Sequence, residues 1–326
     1  MSDILVVGIP QSLKYFDFSR AWESMFSAAG VEWVYSGPTT KTVLDMGVES
    51  CVSEACLPIK LIHGQVASLI GRVECVFLPR LVNIRGRTVF CPKFLGLPDM
   101  VRASLGNRVR LLSPRIDLRS GTAATCLNVF RFARSLGSGT LKAVSACGKF
   151  VSAVSFDAAN STSSCVAALD EAKRTGPVIG VLGYPYLVED DYVNMGLLNK
   201  LRSLGARVVK LGKVGERELT RFDREFEKQV FWYYSDRVVK TGFYLCRNKL
   251  VDGLIHLTAF GCGPDAIADK LLELEAKTDK IPYLTISVDE CTGEAGIQTR
   301  VEAFVDMLTR KPVRPRVGDA KEVRYA

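Results

Sequence analysis

Cys56-Leu57-Pro58, Cys91-Pro92 and Cys262-Gly263-Pro264 each set a thiol just ahead of a proline, at a strand end or where an apolar-periodic segment begins. Pro is favoured in the first helical turn, so the spacing predicts each sulfur at a helix N-terminus. The unpaired amides and the positive end of the helix dipole there favour anionic sulfur by about 0.3–1 kcal/mol per exposed terminus. Anionic sulfur is the ligand of iron–sulfur and other thiolate–metal chemistry. No Cys-x-x-Cys pair is present, so the three Pro-adjacent positions stand out only jointly. Cysteine is also a common core residue: Cys75 in Glu74-Cys75-Val76-Phe77, Cys246 in the helix-like Gly242–Cys246 stretch, and Cys126, Cys147 and Cys165 among Ala and Ser read as packing.

The elements that must position these thiols alternate between short apolar strands and amphipathic helices. In the first half, strands are expected over Ile4–Ile9, Glu32–Tyr35 and Glu74–Leu78. Helices are expected over Phe18–Ala29, along the stripe Ile59, Ile62, Val66, Leu69 and Ile70, and from Pro98-Asp99 to Gly106. The second half opens on Val178-Ile179-Gly180-Val181-Leu182-Gly183-Tyr184-Pro185, an echo of Ile4–Pro10. Strands follow at Arg207–Leu211, Gly253–Leu257 and Tyr283–Ser287, with helices near Tyr192–Leu204, Arg217–Lys228, Ala266–Glu275 and Glu294–Arg310. This alternation implies an α/β chain with two doubly wound, mostly parallel-sheet domains and a cleft between them, where strand carboxyl ends bind ligands. The expected boundaries are 1–140 for the first domain, 141–175 for a helical connector, 176–310 for the second domain and 311–326 for a basic tail.

Composition narrows the setting. The 326 residues are 48% apolar and carry a net charge of +8 with ten cysteines and two histidines, His63 and His256. Histidine-rich zinc or non-haem iron sites are thereby disfavoured. The N-terminus lacks a signal-peptide pattern and no apolar run reaches the roughly 20 residues that span a bilayer, so a cytoplasmic protein with reduced thiols is expected. No aromatic-interleaved basic stripe or zinc-finger spacing points to nucleic acid. The mild positive charge suits an anionic partner such as a CoA thioester, or an acidic protein.

Five separated motifs carry a family likeness. Glu54-Ala55-Cys56-Leu57-Pro58-Ile59-Lys60, Phe77-Leu78-Pro79-Arg80, Cys91-Pro92-Lys93-Phe94-Leu95-Gly96-Leu97-Pro98-Asp99, Phe260-Gly261-Cys262-Gly263-Pro264-Asp265 and Asp289-Glu290 with Thr292–Gly296 resemble the 2-hydroxyacyl-CoA dehydratase superfamily, nearest its activase-related branch. The resemblance runs from about residue 4 to 310. It implies two flavodoxin- or Rossmann-like domains with an iron–sulfur cluster between them held by Cys56, Cys91 and Cys262, low-potential anaerobic chemistry, and one iron of a [4Fe-4S] cube left open toward a substrate oxygen. A related branch with a double-cubane cluster reduces small molecules, and for that alternative Cys51 and Cys291 are the spare thiols. Position 291 is Cys where the resemblance leads one to expect His, which puts any role of that His in doubt.

The resemblance also implies partners: an ATP-dependent activase that delivers electrons, an acyl-CoA substrate, and a second chain in a homo- or hetero-oligomer. Neither a Walker-type nor a dinucleotide glycine motif occurs, so the chain reads as the cluster-bearing partner rather than the ATPase. Gly37-Pro38-Thr39-Thr40-Lys41-Thr42 lacks the second glycine of a phosphate loop. Around the thiols, Glu54, Lys60, Arg80, Lys93, Glu290 and Arg300 are candidates for proton transfer, charge balance or CoA phosphate contact, with helix capping and ordinary ion pairing as the plain alternatives. A non-catalytic cluster-binding or assembly module is a further alternative.

Overall fold

Val6-Val7-Gly8-Ile9 and Val178–Gly183 are continuous apolar runs, the pattern of strands buried on both faces, and each lies inside a parallel sheet. The computed structural model describes residues 5–15, 19–84, 86–160, 176–224 and 230–310, and within it the chain divides into two units. Unit one comprises Met1–Asn160 with Phe231–Tyr233; unit two comprises Ser161–Val230 and Tyr234–Ala326.

In unit one, β1 (Val6–Ile9) leads through α1 (Ser19–Ala29), β2 (Glu32–Tyr35), α2 (Lys41–Ser50) and α3 (Leu57–Leu69) to β3 (Cys75–Phe77) and β4 (Arg80–Asn83). There follow α4 (Pro92–Leu95), α5 (Leu97–Leu105), β5 (Leu111–Leu112), β6 (Arg115–Asp117), α6 (Gly121–Ser135) and α7 (Thr140–Asn160). The sheet runs β2-β1-β3-β5 with every pairing parallel, and β4 pairs β6 in a second, parallel ribbon. Against it packs an aromatic cluster: Phe77 of β3 meets Trp22 at 5.1 Å and Phe26 at 5.2 Å, both from α1, and Trp22 meets Phe150 of α7 at 4.8 Å. Such ring pairs contribute about 0.5–1.5 kcal/mol each beyond area burial.

Unit two repeats the plan. It contains β7 (Val178–Gly183), α8 (Pro185–Val188), α9 (Leu197–Ser203), β8 (Arg207–Lys210), α10 (Glu216–Thr220), all of α11 (Tyr233–Arg247) but its first residue, β9 (Gly253–Ala259), α12 (Gly263–Thr278), β10 (Tyr283–Val288) and α13 (Glu294–Thr309). The order β10-β9-β7-β8, all parallel, again puts the second strand on one side of the first and the third on the other. The fold class expected from the alternating pattern is therefore the one observed. Among the described residues, no helix is long and apolar enough to cross a membrane.

Several elements differ from the pattern reading. The helix expected near Tyr192–Leu204 starts only at Leu197, because Met195 (φ 54°) and Gly196 (φ 68°) adopt left-handed backbone that a helix cannot include. Asp190 Oδ1 instead accepts the amides of Tyr192 and Val193 and closes a turn. The helix expected over Arg217–Lys228 is a single short helix, α10, followed by a 3₁₀ turn at Arg221–Arg224; positions 225–229 lie outside the described residues. Helix α2 and the β4–β6 ribbon have no counterpart in the pattern reading, and α11 extends well beyond the five helix-like residues that signalled it. The segment 141–175 begins as α7 within unit one, and 161–175 lie outside the described residues, as does the basic tail.

Candidate functional site

Each of the three Pro-adjacent cysteines caps a helix. Cys56 is the N-cap of α3, Cys91 of α4 and Cys262 of α12, all with extended backbone and with proline in the first turn. The carbonyls already belong to the helices: Cys56 O accepts Ile59 N at 2.9 Å, Cys91 O accepts Leu95 N at 3.1 Å and Cys262 O accepts Ala266 N at 3.0 Å. The proline needs no partner for its nitrogen at that position, which is why this sequence starts a helix right after the thiol.

In unit one, Cys56 is held by a helical hairpin of close approach. Helices α2 and α3 cross where Gly47 faces Gly64: a Cβ at Gly47 would lie 2.0 Å from Lys60 O, and one at Gly64 would lie 1.9 Å from Val43 O. Only glycine permits backbones this near. The hairpin fixes Cys51, the C-cap of α2, five residues from Cys56 at the start of α3. Nearly all of α3 is buried, including Lys60 at 2% exposure, His63 and Gln65. Gln65 Oε1 accepts both the amide and the hydroxyl of Ser12, and His63 Nδ1 lies 2.8 Å from Ile59 O with its pKa pushed down by burial.

Cys91 reaches the same neighbourhood by another route. The strand-like Val89 forms a parallel bridge to Trp232, exchanging Val89 N to Phe231 O at 3.2 Å and Tyr233 N to Val89 O at 2.9 Å, so the returning segment steers the chain into Cys91. Lys93, on the helix Cys91 caps, donates from Nζ to Glu54 O at 3.1 Å, in the loop that carries Cys56. Burial pushes the Cys91 thiol up, the Phe94 and Lys93 amides pull it back, and Cys56 is near enough to raise it further. Burial likewise pushes Cys51 up, with Cys56 adding to the shift while Lys60 and Lys93 oppose it. The structure thus gathers Cys51, Cys56, Cys91, Glu54, Lys60 and Lys93 in unit one. Glu54 is exposed, and its carboxyl lies below the usual range through hydrogen bonds with its own amide and Ser53.

Arg80 is engaged otherwise. Its guanidinium donates to Leu95 O at 2.7 Å and to Asp99 at 2.6 Å, tying β4 to α4 and α5, and its hydrogen bond holds the Asp99 carboxyl below the ordinary range.

In unit two, Cys262 follows the carboxyl end of β9, beside β7 where the strand order reverses, the position at which open α/β sheets bind ligands. Gly261 (φ 74°) turns the chain and Cys262 N donates to Ala259 O at 3.1 Å. Ser235 Oγ, itself 2.7 Å from Tyr184 Oη, supports Pro264 O at 3.4 Å. Cys291 is exposed in a turn, its amide donating to Asp289 Oδ1 at 2.9 Å; Glu290 beside it is half-buried. Arg300 of α13 donates to Thr285 O, and Glu294 pairs with Lys200 at 2.7 Å.

Of the cysteines read as packing, Cys75 and Cys246 lie in the core, whereas Cys126 and Cys147 are half-buried. Cys75 and Cys246 are fully buried, and burial lifts the Cys246 thiol to about 12. Cys126 of α6 hydrogen-bonds Cys147 of α7, whose thiol burial and this contact push up to about 12; nothing in the spacing of the two residues signals this pairing. Cys165 lies outside the described residues. Among the described residues, no group of three or more His, Cys, Asp or Glu is already arranged as a metal-ligand set. Burial disfavours the bare thiolate at Cys91 and Cys51, so the helix start at Cys91 does not by itself give the anionic sulfur expected there, and a metal would have to displace the proton. One observation fits a soft, anionic metal group in unit one. A buried lysine stands one turn beyond Cys56.

Comparison with protein-family models matches residues 6–213 to the CoA enzyme activase uncharacterised domain and residues 220–308 to the 2-hydroxyglutaryl-CoA dehydratase D-component. The first match spans more than half of the chain and contains Cys56 and Cys91; the second contains Cys262. Comparison with curated proteins gives no match.

Proposed function

Because this chain belongs to the activase-related family of the 2-hydroxyacyl-CoA dehydratase superfamily, we propose that Cys56, Cys91 and Cys262 are the thiolate ligands of a cubane iron–sulfur cluster. Such a cluster supplies low-potential electron transfer, or reductive dehydration of a 2-hydroxyacyl-CoA when an ATP-dependent activase provides the electron. The observation that carries the reading is the shared construction of the three positions: every one is a helix N-cap backed by proline, and two of them act on each other electrostatically within unit one.

The chain's own residues have definable tasks in this reading. The α2–α3 hairpin holds Cys56 in place through the Gly47–Gly64 contact, and Lys93 ties the Cys91 helix to the Cys56 loop through Glu54 O. Lys60 and Lys93 offset negative charge on the thiolates, and buried charge of one sign requires this compensation. Arg80 fixes α4 and α5 under Cys91, while Glu54 and Glu290 are the carboxylates beside the thiols that could exchange protons with solvent or substrate. A second cluster-bearing chain completes the assembly. The double-cubane reductase is the second reading, favoured by Cys51, which feels Cys56 as Cys91 does.

The test is thiol footprinting by mass spectrometry on the chain reconstituted anaerobically with ferrous iron and sulfide. Cys56, Cys91 and Cys262 become protected from iodoacetamide while exposed Cys291 still reacts. Equal labelling with and without iron refutes the ligand assignment, and added protection at Cys51 favours the double cubane.

A further inference from the structure

Beneath the Cys262 turn lies a buried charge cluster that the proposed function does not use. His256, on β9, is fully buried, with Nδ1 2.8 Å from Asp269 Oδ1 and Nε2 3.2 Å from Asp265 Oδ1. Both carboxylates come from α12, one in the helix's first turn and one in the next. From the neighbouring strand, Tyr283 Oη at 2.6 Å and Thr285 Oγ1 at 2.8 Å both donate to Asp269 Oδ1. Thr285 is also the register partner of His256 across the β9–β10 pairing. Asp265 is itself fully buried, and its Oδ2 has no hydrogen-bond partner among the described residues.

A carboxylate only accepts, so two carboxylates on one imidazole are both satisfied when each ring nitrogen carries a proton. A buried imidazolium between two aspartates is also the arrangement that keeps either carboxylate from standing uncompensated. We propose that His256 is the positioning residue of the Cys262 turn: as an imidazolium it clamps Asp265 and Asp269, fixes the first two turns of α12 to the sheet, and so sets where Cys262 presents its sulfur. Burial opposes the charge, but the Coulomb attraction of Asp265 and the hydrogen bonds of Asp265 and Asp269 outweigh it and lift His256 to about 9. The clamp is complete without metal. Its consequence for a bound cluster rests on the function proposed above.

The full-length chain, without iron, tests the clamp. It has only two histidines, so ¹⁵N-imidazole spectra resolve both, and His256→Asn assigns them. The expected spectrum shows His256 protonated on both nitrogens well above pH 7, whereas His63 titrates below the ordinary range near 6.5. A His256 ring that is neutral at pH 7, accepting a proton from Asp265, overturns the proposal whether or not any variant folds. In His256→Asn, alkylation of Cys262 and hydrogen exchange over residues 263–269 rise about tenfold through local opening. Adding Asp265→Asn leaves both rates raised, because the double variant still lacks the clamp; a return to within about twofold of wild type would show that the histidine only compensates buried charge and would overturn the proposal. Unchanged alkylation in folded His256→Asn also overturns the proposal. In reconstituted protein the same substitution shortens iron retention against a chelator. If the wild-type chain takes up no iron, the cluster reading fails while the clamp is still decided by the apo-protein measurements.

Discussion

Gly64→Ala tests whether the α2–α3 crossing is what places Cys56. The added methyl would sit 1.9 Å from Val43 O and 2.9 Å from Gly47 N, against an ordinary contact distance of 3.4 Å or more. The helices would therefore have to part by about 1.5 Å, and both obstructing atoms are backbone, which cannot rotate away. Overpacking a buried contact costs about 1–3 kcal/mol, and backbone obstruction belongs at the upper end. Alanine returns up to ~1 kcal/mol of helix propensity, which leaves a net loss of about 2 kcal/mol, or roughly 30-fold in the folding equilibrium. Gly148 of α7 is the control, since nothing lies within 4 Å of its missing Cβ, and there alanine stabilises by up to ~1 kcal/mol. All three tryptophans, Trp22, Trp33 and Trp232, belong to unit one, so their fluorescence in a urea titration reports this unit. Alkylation of Cys51 and Cys56 should accelerate in parallel. Equal urea midpoints for Gly64→Ala, Gly148→Ala and wild type would refute the reasoning.

Lys60→Met keeps the buried stem and removes a charge that lowers the Cys51 thiol, so the pH profile of Cys51 alkylation shifts upward; an unmoved profile contradicts electrostatic contact between Lys60 and the thiols. His256 has a folded pKa of about 9 against an unfolded value near 6.5, so its stabilisation is complete below about pH 6.5 and is lost as pH rises through about 9. Urea midpoints measured from roughly pH 6 to 10 should fall more steeply for wild type than for His256→Asn, and parallel curves would contradict a raised pKa. Arg80→Lys preserves charge but not the fork that serves Leu95 O and Asp99 together. In so exposed a pair the stability change stays within about 1 kcal/mol, whereas the Asp99 carboxyl returns toward its ordinary pKa by NMR titration.

The thiol caps were legible because proline after cysteine constrains backbone locally, and Cys56, Cys91 and Cys262 all cap helices as that spacing requires. The parallel sheets were legible from runs such as Val178–Gly183, buried along their whole length. What escaped was tertiary. Glycine within a helix reads only as a propensity penalty, so Gly47 and Gly64 concealed both α2 and the crossing that fixes Cys51 and Cys56. Met195 and Gly196 are a left-handed pair that apolar periodicity cannot register, and the expected helix starts late for that reason. In the sequence His256 is only one of two scarce histidines. Its aspartate partners are 9 and 13 residues away, and Tyr283 and Thr285, which donate to Asp269, are 27 and 29 away; only the β9–α12–β10 topology joins them.

Iron and acid-labile sulfide counted per chain after anaerobic purification, beside Cys91→Ser and Cys262→Ser, test the central claim most directly. The three-thiolate reading predicts about four irons and four sulfides in wild type, with both variants losing them. A chain that holds no iron even after reconstitution, or variants that keep the full wild-type content, would contradict it.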